Sequence, residues 1–403
     1  MVQLKQLSDL TVKDKVVLLR LDLNLPQEYG KITDNTRIIR IIPTIKYLVS
    51  HNAKVVIISH FGRPKKIELR LSLKSIVSEL EALLNIKVKF CPESIGTTAK
   101  NAIMKMQAGE ILLLENLRFN SGEELNDTDF ANQLSSLGDV YVNDAFACSH
   151  RKHASICGLP TKLPSAAGFS LLNELKNLSS TLSKVSKPFT AIIGGAKIST
   201  KLDLLKSLIA RVDYLIIAGA MANMFLAIRN FNIGASLYEP ALANIASVIF
   251  KKTTSTNCKI ILPFDVIVQN NNSIATIDLN STVAIPSNAK IMDIGPKTIA
   301  QIINIIKISK TIVWNGPVGA FEQTPFDYGS TYLSKAITQE TKTGNLCSVA
   351  GGGDTISAIR KSGGIDYFTY ISTGGGAFLE WLQGKKLPGI EALKQELAIA
   401  KYM

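Results

Sequence analysis

The chain has 403 residues, 46% of them hydrophobic, with 45 Lys and Arg against 32 Asp and Glu, for a formal net charge of +13. That length exceeds one comfortable core, so two domains are expected, and the apolar fraction excludes a disordered chain. The charge admits phosphorylated small molecules, nucleic acid or an anionic membrane as partners, but there is no dense basic block, zinc-finger spacing or aromatic RNP-like motif, so no specific nucleic-acid partner is expected.

In chain order, the opening MVQLKQLSDL lacks a basic region followed by a long apolar stretch, so no export signal is read there. The runs KVVLLRLDLNL, AKVVIISHFG, EILLLENLRF and DVYVNDAF follow, with NTRIIRIIPTIKYLVSHN at helical spacing between the first two. The segment LLNELKNLSSTLSK (171–184) predicts a helix joining two halves. Beyond it come TAIIGGAK, YLIIAGAM, KIILPFDVIV, TIVWNGPVG and YFTYISTGG, with STKLDLLKSLIARV as a further helix. Continuous rather than alternating apolar runs suit strands covered on both faces, and strand alternating with helix implies parallel α/β sheets. No apolar run approaches the roughly 20 residues that cross a bilayer, so no membrane is expected. Cys91, Cys148, Cys157, Cys258 and Cys347 form no C-x-x-C pair, which excludes a disulfide framework or structural zinc and fits a reducing, cytoplasmic setting.

The strand-like runs of the first half end in polar or cationic groups: Asp22 and Asn24, His60 and Arg63, Arg118, Asp144. Those of the second half end in glycine: Gly194–Gly195, Gly219, Gly316, Gly351–Gly353, Gly374–Gly376. Open α/β sheets bind ligands beyond the carboxyl ends of their strands, so two sites are expected, one cationic and one built of backbone amides. A single exposed arginine is usually surface. Five charged loops on one proposed sheet edge make a different pattern, in which Arg37, Arg63, Arg118 and Arg151 could clamp phosphate bidentately. His60 could donate to a carboxylate or phosphate, and Asp22 and Asn24 could hold a hydroxyl. His153 is the weaker histidine candidate, and His51 reads as helix surface.

Neither G-x-x-x-x-G-K-[ST] nor G-x-G-x-x-G occurs in the glycine half. GGAKISTK instead places Lys197 and Lys201 four apart, on one face of a helix starting there, as a polyphosphate site or as two solvated lysines. In WNGPVGAFE, Asn315 and Glu322 could bond a ribose or base, with Trp314 as core packing. Asp354, after a glycine triplet, suits Mg²⁺ whose other ligands are phosphate oxygens, or an N-cap for TISAIR. STGGGAFLEW is a further glycine turn opening a helix.

RLDLNLP, SHFGRP, ENLRF, HRKHAS, GGAKISTK, MDIGPKT, WNGPVGAFE, GGGDT and STGGGAFLEWLQGKKLPG, in that order, resemble the phosphoglycerate kinase family over about residues 5 to 400. The resemblance implies two Rossmann-like domains, each a mostly parallel sheet flanked by helices. A 3-phosphoglycerate domain (1–170) is joined by a hinge helix (171–186) to a nucleotide domain (187–390), and a tail from about 391 packs back on the first domain. It implies reversible, in-line phosphoryl transfer in glycolysis between 1,3-bisphosphoglycerate with MgADP and 3-phosphoglycerate with MgATP, by a monomer that closes about its hinge.

The resemblance places 3-phosphoglycerate on Asp22, Leu23, Asn24, Arg37, His60, Phe61, Gly62, Arg63, Arg118 and Arg151. It places the nucleotide on Gly195, Lys197, Lys201, Asn315, Glu322, Gly352, Gly353, Asp354 and Thr355, with Mg²⁺ at Asp354. Arg37, Lys197, Gly352 and Gly375 would act on the phosphoryl group in flight, with Gly374 beside them. The chain departs from the family's pattern at Thr200, Ala218 and Met224, positions that bear on nucleotide preference. Two rival readings stand beside this one: an ATP-dependent enzyme acting on another phosphorylated acid, and a catalytically silent nucleotide binder.

Overall fold

Short runs of Val, Leu and Ile that close on a polar residue or a glycine become parallel strands in the computed structural model, which describes residues 4–28, 31–183, 185–196, 198–252 and 255–399. The chain divides into two compact units, one formed by Met1–Ser179 with Lys386–Met403 and the other by Ser180–Lys385.

In the first unit β1 (Val16–Arg20) is followed by a short antiparallel ribbon, β2 (Gln27–Glu28) with β3 (Lys31–Ile32). Then come β4 (Lys54–Ile58), β5 (Val88–Cys91), β6 (Ile111–Leu114), β7 (Val140–Asn143) and β8 (Ser165–Ala167). The six-stranded sheet runs β5-β6-β4-β1-β7-β8, parallel throughout. Helices cover both faces, so the central strands are buried almost end to end, as their unbroken apolar runs require. Register decides where the loops emerge: Arg20 lies beside Ile58 on one side and Asn143 on the other. The segments after β1, β4 and β7 therefore leave the sheet at one level.

In the second unit β9 (Phe189–Ile193), β10 (Tyr214–Ile217) and β11 (Lys259–Ile261) precede a separate trio, β12 (Asp265–Asn270), β13 (Ser273–Asp278) and β14 (Lys290–Ile294). The unit closes with β15 (Thr311–Asn315), β16 (Cys347–Gly351) and β17 (Tyr370–Ser372). The parallel sheet runs β11-β10-β9-β15-β16-β17, and Asn315 pairs with Ile193 while Gly351 pairs with Ser372. The trio is antiparallel, in the order β13-β12-β14.

Several sequence expectations change. KIILPFDVIV is not one strand: Pro263 has no N–H for a ladder, so β11 stops at Ile261 and β12 starts a different sheet. The predicted 171–186 helix spans Phe169–Ser183. The chain returns to the first unit at Lys386 rather than near residue 391. Its last helix, Pro388–Ile399, packs against Ala154–Thr161 and β8, and Gly389 donates to the Ser149 carbonyl at 2.8 Å. No described helix is long and apolar enough to cross a membrane.

Candidate active site

The cationic half-site sits at the carboxyl ends of β1, β4 and β7. Asp22 follows β1, and Arg37 reaches it from the Thr36–Ser50 helix, with Nη1 3.0 Å from Asp22 Oδ2. The same Nη1 donates to the Asn24 carbonyl at 2.6 Å, so two points fix the guanidinium. The Asn24 Oδ1 accepts from the Gly62 amide at 2.8 Å, and the Gly62 carbonyl accepts from Arg118 Nη1 at 2.6 Å. Gly62 has φ +62°, a region in which an L side chain is strained, and a Cβ there would lie 2.8 Å from Leu71 Cδ2. Arg118 also ion-pairs with Glu124 at 2.9 Å, Arg151 sets Nε 3.3 Å from His150 Nε2, and Arg63 stands exposed on its loop.

The side chains of Leu23 and Phe61 are in the hydrophobic core. Both peptide groups of Phe61 are taken by the Asn116 side chain, at 3.2 and 2.8 Å. Among the other strand-end residues, Asp144 is fully buried and accepts from the Leu171 amide at 2.8 Å, tying the end of β7 to the start of the Phe169–Ser183 helix.

Electrostatics gives this edge its character. Burial, then the charges of Arg20, Arg118 and Arg151, holds His60 well below the ordinary histidine range. Burial followed by Arg151 pushes His150 down to about 4, and burial followed by Arg118 and Arg151 pushes His153 down to about 3. Arg118 is itself lowered, by burial and then by Arg151, with Glu124 opposing. Imidazoles pushed toward their neutral form by neighbouring guanidiniums mark a sheet edge rich in positive charge. Asp22, His60 and Cys148 bring ligand atoms within 4.8 Å of one another. Arg37 occupies the Asp22 carboxylate, and Arg20 Nη2 lies 3.2 Å from His60 Nδ1 and 3.8 Å from Cys148 Sγ. The cluster suits an anion, not a metal cation.

Sequence reasoning missed Arg20, which is fully buried at the end of β1. It donates to Ser155 Oγ at 2.8 Å and to the Leu21 carbonyl, and Glu123 Oε1 accepts from Ser155 Oγ at 2.6 Å. Burial would lower its pKa, but Cys148, Glu123, Tyr141 and Asp22 outweigh that and raise it. The available signal was an arginine closing an apolar run, where burial must be answered by hydrogen bonds and charge.

In the second unit two strand-end loops meet backbone to backbone. The Gly194 amide donates to the Asn315 carbonyl at 2.9 Å and the Gly195 amide to the Pro317 carbonyl at 3.0 Å. A Cβ on Gly194 would collide with the Pro317 carbonyl and one on Gly316 with Gly194, so both must be glycine. Lys201 folds under this junction, its Nζ donating to the carbonyls of Gly194 at 2.7 Å and Asn315 at 3.3 Å. Burial lowers Lys201 to about 8, and Asp354 opposes the shift.

The Lys201 amide donates to the Ile198 carbonyl and the helix begins at Leu202, so Lys201 precedes it. The expectation that Lys197 shares a helix face with Lys201 falls partly on Lys197, which lies outside the described residues. Asn315 is buried, with Nδ2 donating to the Gly351 carbonyl at 2.6 Å, a bond that braces two loops. Thr355 Oγ1 likewise accepts from the Gly316 amide at 2.7 Å. Trp314 is in the core.

Gly352, at φ +102°, is the N-cap of the Gly353–Lys361 helix, so Asp354 is not the cap but stands exposed in the first turn. No hydrogen bond or ion pair holds its carboxylate among the described residues, which fits a hard cation that takes its other oxygens from a phosphate. Gly375, at φ +50°, precedes the Gly376–Leu382 helix, and space around it is open. A cavity of about 450 Å³ adjoins these loops, its lining including Gly195, Gly219, Asn223, Pro317, Glu322 and Asp354. The antiparallel trio supplies part of its wall through Val266 and the segment 290–294. None of Thr200, Ala218 and Met224 lines it: Ala218 and Met224 are packed inside and Thr200 is on an exposed turn.

Residues 7–385 match the family model described as phosphoglycerate kinase. The phosphoglycerate kinase of Orientia tsutsugamushi (strain Ikeda) is 77% identical over 406 residues, covering 100% of both chains. That of Wolbachia sp. subsp. Drosophila simulans (strain wRi) is 49% identical, covering 95% of this chain and 97% of the relative. Among solved structures, phosphoglycerate kinase from Coxiella burnetii aligns with a TM-score of 0.84 at 37% identity, and that from Pyrococcus horikoshii OT3 with 0.86 at 32%. Each covers 98% of this chain and 99% of the solved one.

Proposed function

The chain belongs to the phosphoglycerate kinase family, and from that premise we propose that it is a cytoplasmic, monomeric phosphotransferase moving the terminal phosphoryl of MgATP to the carboxylate of 3-phosphoglycerate, and back, in glycolysis. The observation that carries the substrate side is geometric: Arg37 beside Asp22, and Arg118 bonded to the Gly62 carbonyl, stand at the carboxyl ends of the first sheet, with His60 lowered by burial and then by Arg20, Arg118 and Arg151. A small acid bearing both carboxylate and phosphate supplies the opposite charge, and guanidinium forks bind such groups bidentately.

In this reading Asp22 and Asn24 orient the substrate hydroxyl, while Arg37, His60, Arg63, Arg118 and Arg151 bind its anionic groups. Lys197, Lys201, the Gly352–Gly353 amides and Gly375 receive the phosphates, and Glu322 the ribose. Asn315 and Thr355 hold the loops in place. Asp354 would hold Mg²⁺, which supplies charge compensation on the phosphate oxygens when bound. No general base is required, because the attacking carboxylate is already an anion at neutral pH. Catalysis is then positioning and electrostatic stabilisation of the transferring group. Direct transfer also requires the two ligand sets to meet, so closure about the Phe169–Ser183 helix and the Ser372–Thr373 turn belongs to the proposal.

The test is MgATP-dependent phosphorylation of 3-phosphoglycerate, coupled to a dehydrogenase that consumes the product, with Lys197→Ala alongside. Robust turnover that falls roughly a hundredfold or more in the variant is expected. A folded wild type that binds nucleotide but turns over no 3-phosphoglycerate overturns the substrate assignment, and unchanged turnover in Lys197→Ala overturns the role of Lys197. A panel of other phosphorylated acids separates this reading from a related kinase.

A further inference from the structure

Three polar side chains sealed inside the first unit, those of Arg20, Ser155 and Glu123, meet end to end on the Nδ1 side of His60. Glu123 belongs to the Ser121–Leu125 helix, Ser155 to the short Ala154–Gly158 helical segment and Arg20 to the end of β1, so separate parts of the chain converge. Ser155 is held at three points. Its amide donates to Glu123 Oε2 at 2.9 Å, its carbonyl accepts from the Tyr141 hydroxyl at 2.6 Å, and its hydroxyl donates to Glu123 Oε1 at 2.6 Å.

The direction of each bond is forced. A guanidinium has only donors, so Arg20 Nε, 2.8 Å from Ser155 Oγ, must donate to it. The one proton of that hydroxyl is then left for Glu123, which must accept. At the other end Arg20 Nη2, 3.2 Å from His60 Nδ1, can only donate, so the ring proton lies on Nε2. His60 Nε2 makes no hydrogen bond among the described residues, and it is not among the unpartnered atoms sealed from solvent, so it is open to a ligand. Competing contacts are longer: His153 Nδ1 is 3.7 Å from Glu123 Oε1, and Cys148 Sγ is 3.9 Å from His60 Nδ1.

We infer that Glu123 and Ser155 are positioning residues for substrate binding, holding Arg20 so that His60 presents one fixed Nε2–H donor to 3-phosphoglycerate. The inference rests on the reading of this edge as the 3-phosphoglycerate site and adds the residues that prepare its histidine. A binding group is only as well placed as the partners behind it that fix its rotamer and its proton.

Ser155→Ala removes the hydroxyl but leaves the backbone bond to Glu123 Oε2. Glu123→Gln keeps the shape but turns one acceptor into a donor, which conflicts with either the Ser155 amide or its hydroxyl. The full chain and both variants are compared by calorimetric titration with 3-phosphoglycerate and with ADP, and by NMR of the ¹⁵N-labelled His60 ring. Each variant should bind 3-phosphoglycerate roughly tenfold more weakly while its affinity for ADP holds. The His60 nitrogens should move from the shifts of a single tautomer toward the averaged values of a ring exchanging between two. A purely structural role would lower stability without moving the ring. Folded variants that keep the single tautomer, or that keep wild-type affinity for 3-phosphoglycerate, therefore overturn the inference. A wild-type ring that is not Nε2–H overturns it even if neither variant folds. Failure of the wild type to bind 3-phosphoglycerate overturns the substrate reading together with the inference, whereas wild-type binding that both variants retain overturns the inference alone.

Discussion

Arg20 Nη2 lies 3.2 Å from His60 Nδ1, with both side chains buried. A guanidinium has donors only, so Nδ1 must accept and the ring proton must sit on Nε2, ready to donate to an anionic ligand. The low pKa of His60 follows from burial and the neighbouring arginines, and the same causes act on His150 and His153. Each group's folded pKa lies below its unfolded value of about 6.5. As pH falls through that value the unfolded chain takes up protons first, so the stability these residues contribute near neutrality is lost progressively toward pH 4. NMR of ¹⁵N-labelled histidines should show His60 as the neutral Nε2–H tautomer from pH 5.5 to 8. Titration near 6.5 would contradict the assignment. Binding of 3-phosphoglycerate should raise all three values.

Asp144 and Asp293 carry the opposite sign. Burial raises each to about 7, against the amides of Leu171 and Gly329 that favour the charged form. The stability linked to such a carboxyl is fully present below its unfolded pKa of about 3.9 and is lost as pH rises through about 7. Asparagine imitates the uncharged carboxyl. Asp144→Asn and Asp293→Asn should therefore compare more favourably with wild type at pH 8 than at pH 5 in denaturant unfolding. A difference that does not change with pH would show that these carboxyls are ionised throughout.

Lys201 links a pKa to ligand charge. With its Nζ on two carbonyls and its value held near 8, it is partly neutral at that pH in the free protein. A polyphosphate restores the full charge. Binding of metal-free ADP at pH 8 should then take up about half a proton, and affinity should fall as pH rises above 8. Calorimetry in buffers of different ionisation enthalpy measures the uptake directly. Lys201→Met should remove the uptake and weaken ADP roughly tenfold or more. Uptake that persists in the variant would assign it to another group.

The parts of this protein that were legible in the sequence share a cause. β1, β4, β9 and β15 are unbroken apolar runs because both faces are covered, so the runs could be read directly, as could the chemistry at their ends. β13 was not legible, since a mostly exposed strand of an antiparallel trio leaves no apolar run. β8 is only three residues long. In the site, Arg37 and Asp354 could be found because each stands in the first turn of a helix that opens after a polar or glycine-rich loop. Arg20 was hidden inside the run it terminates. Burial was the missing information, because a motif names the residue type but not whether its hydrogen bonds are already made. Asn315 illustrates the point: the motif names it as a ligand group but does not show that its Nδ2 also donates to the Gly351 carbonyl.

The glycine loops separate structural from ligand-imposed constraint. Gly316 has φ +94°, and a Cβ there would collide with Gly194 and lie 2.7 Å from Lys201 Nζ. Gly316→Ala should cost about 1–3 kcal/mol of stability from backbone strain and overpacking, with nucleotide binding lost alongside. Gly353 differs, because it opens a helix, has no positive φ and has nothing within 4 Å of where its Cβ would stand. Gly353→Ala should leave stability within about 0.5 kcal/mol of wild type or slightly above it, since alanine suits a helix better. If phosphate oxygens approach this amide, the added methyl meets them only in the complex. Turnover should then fall at least tenfold while the unfolding midpoint holds. Full activity in Gly353→Ala would move the phosphate cradle away from the start of this helix, and a matching loss of stability would show that the glycine serves the fold.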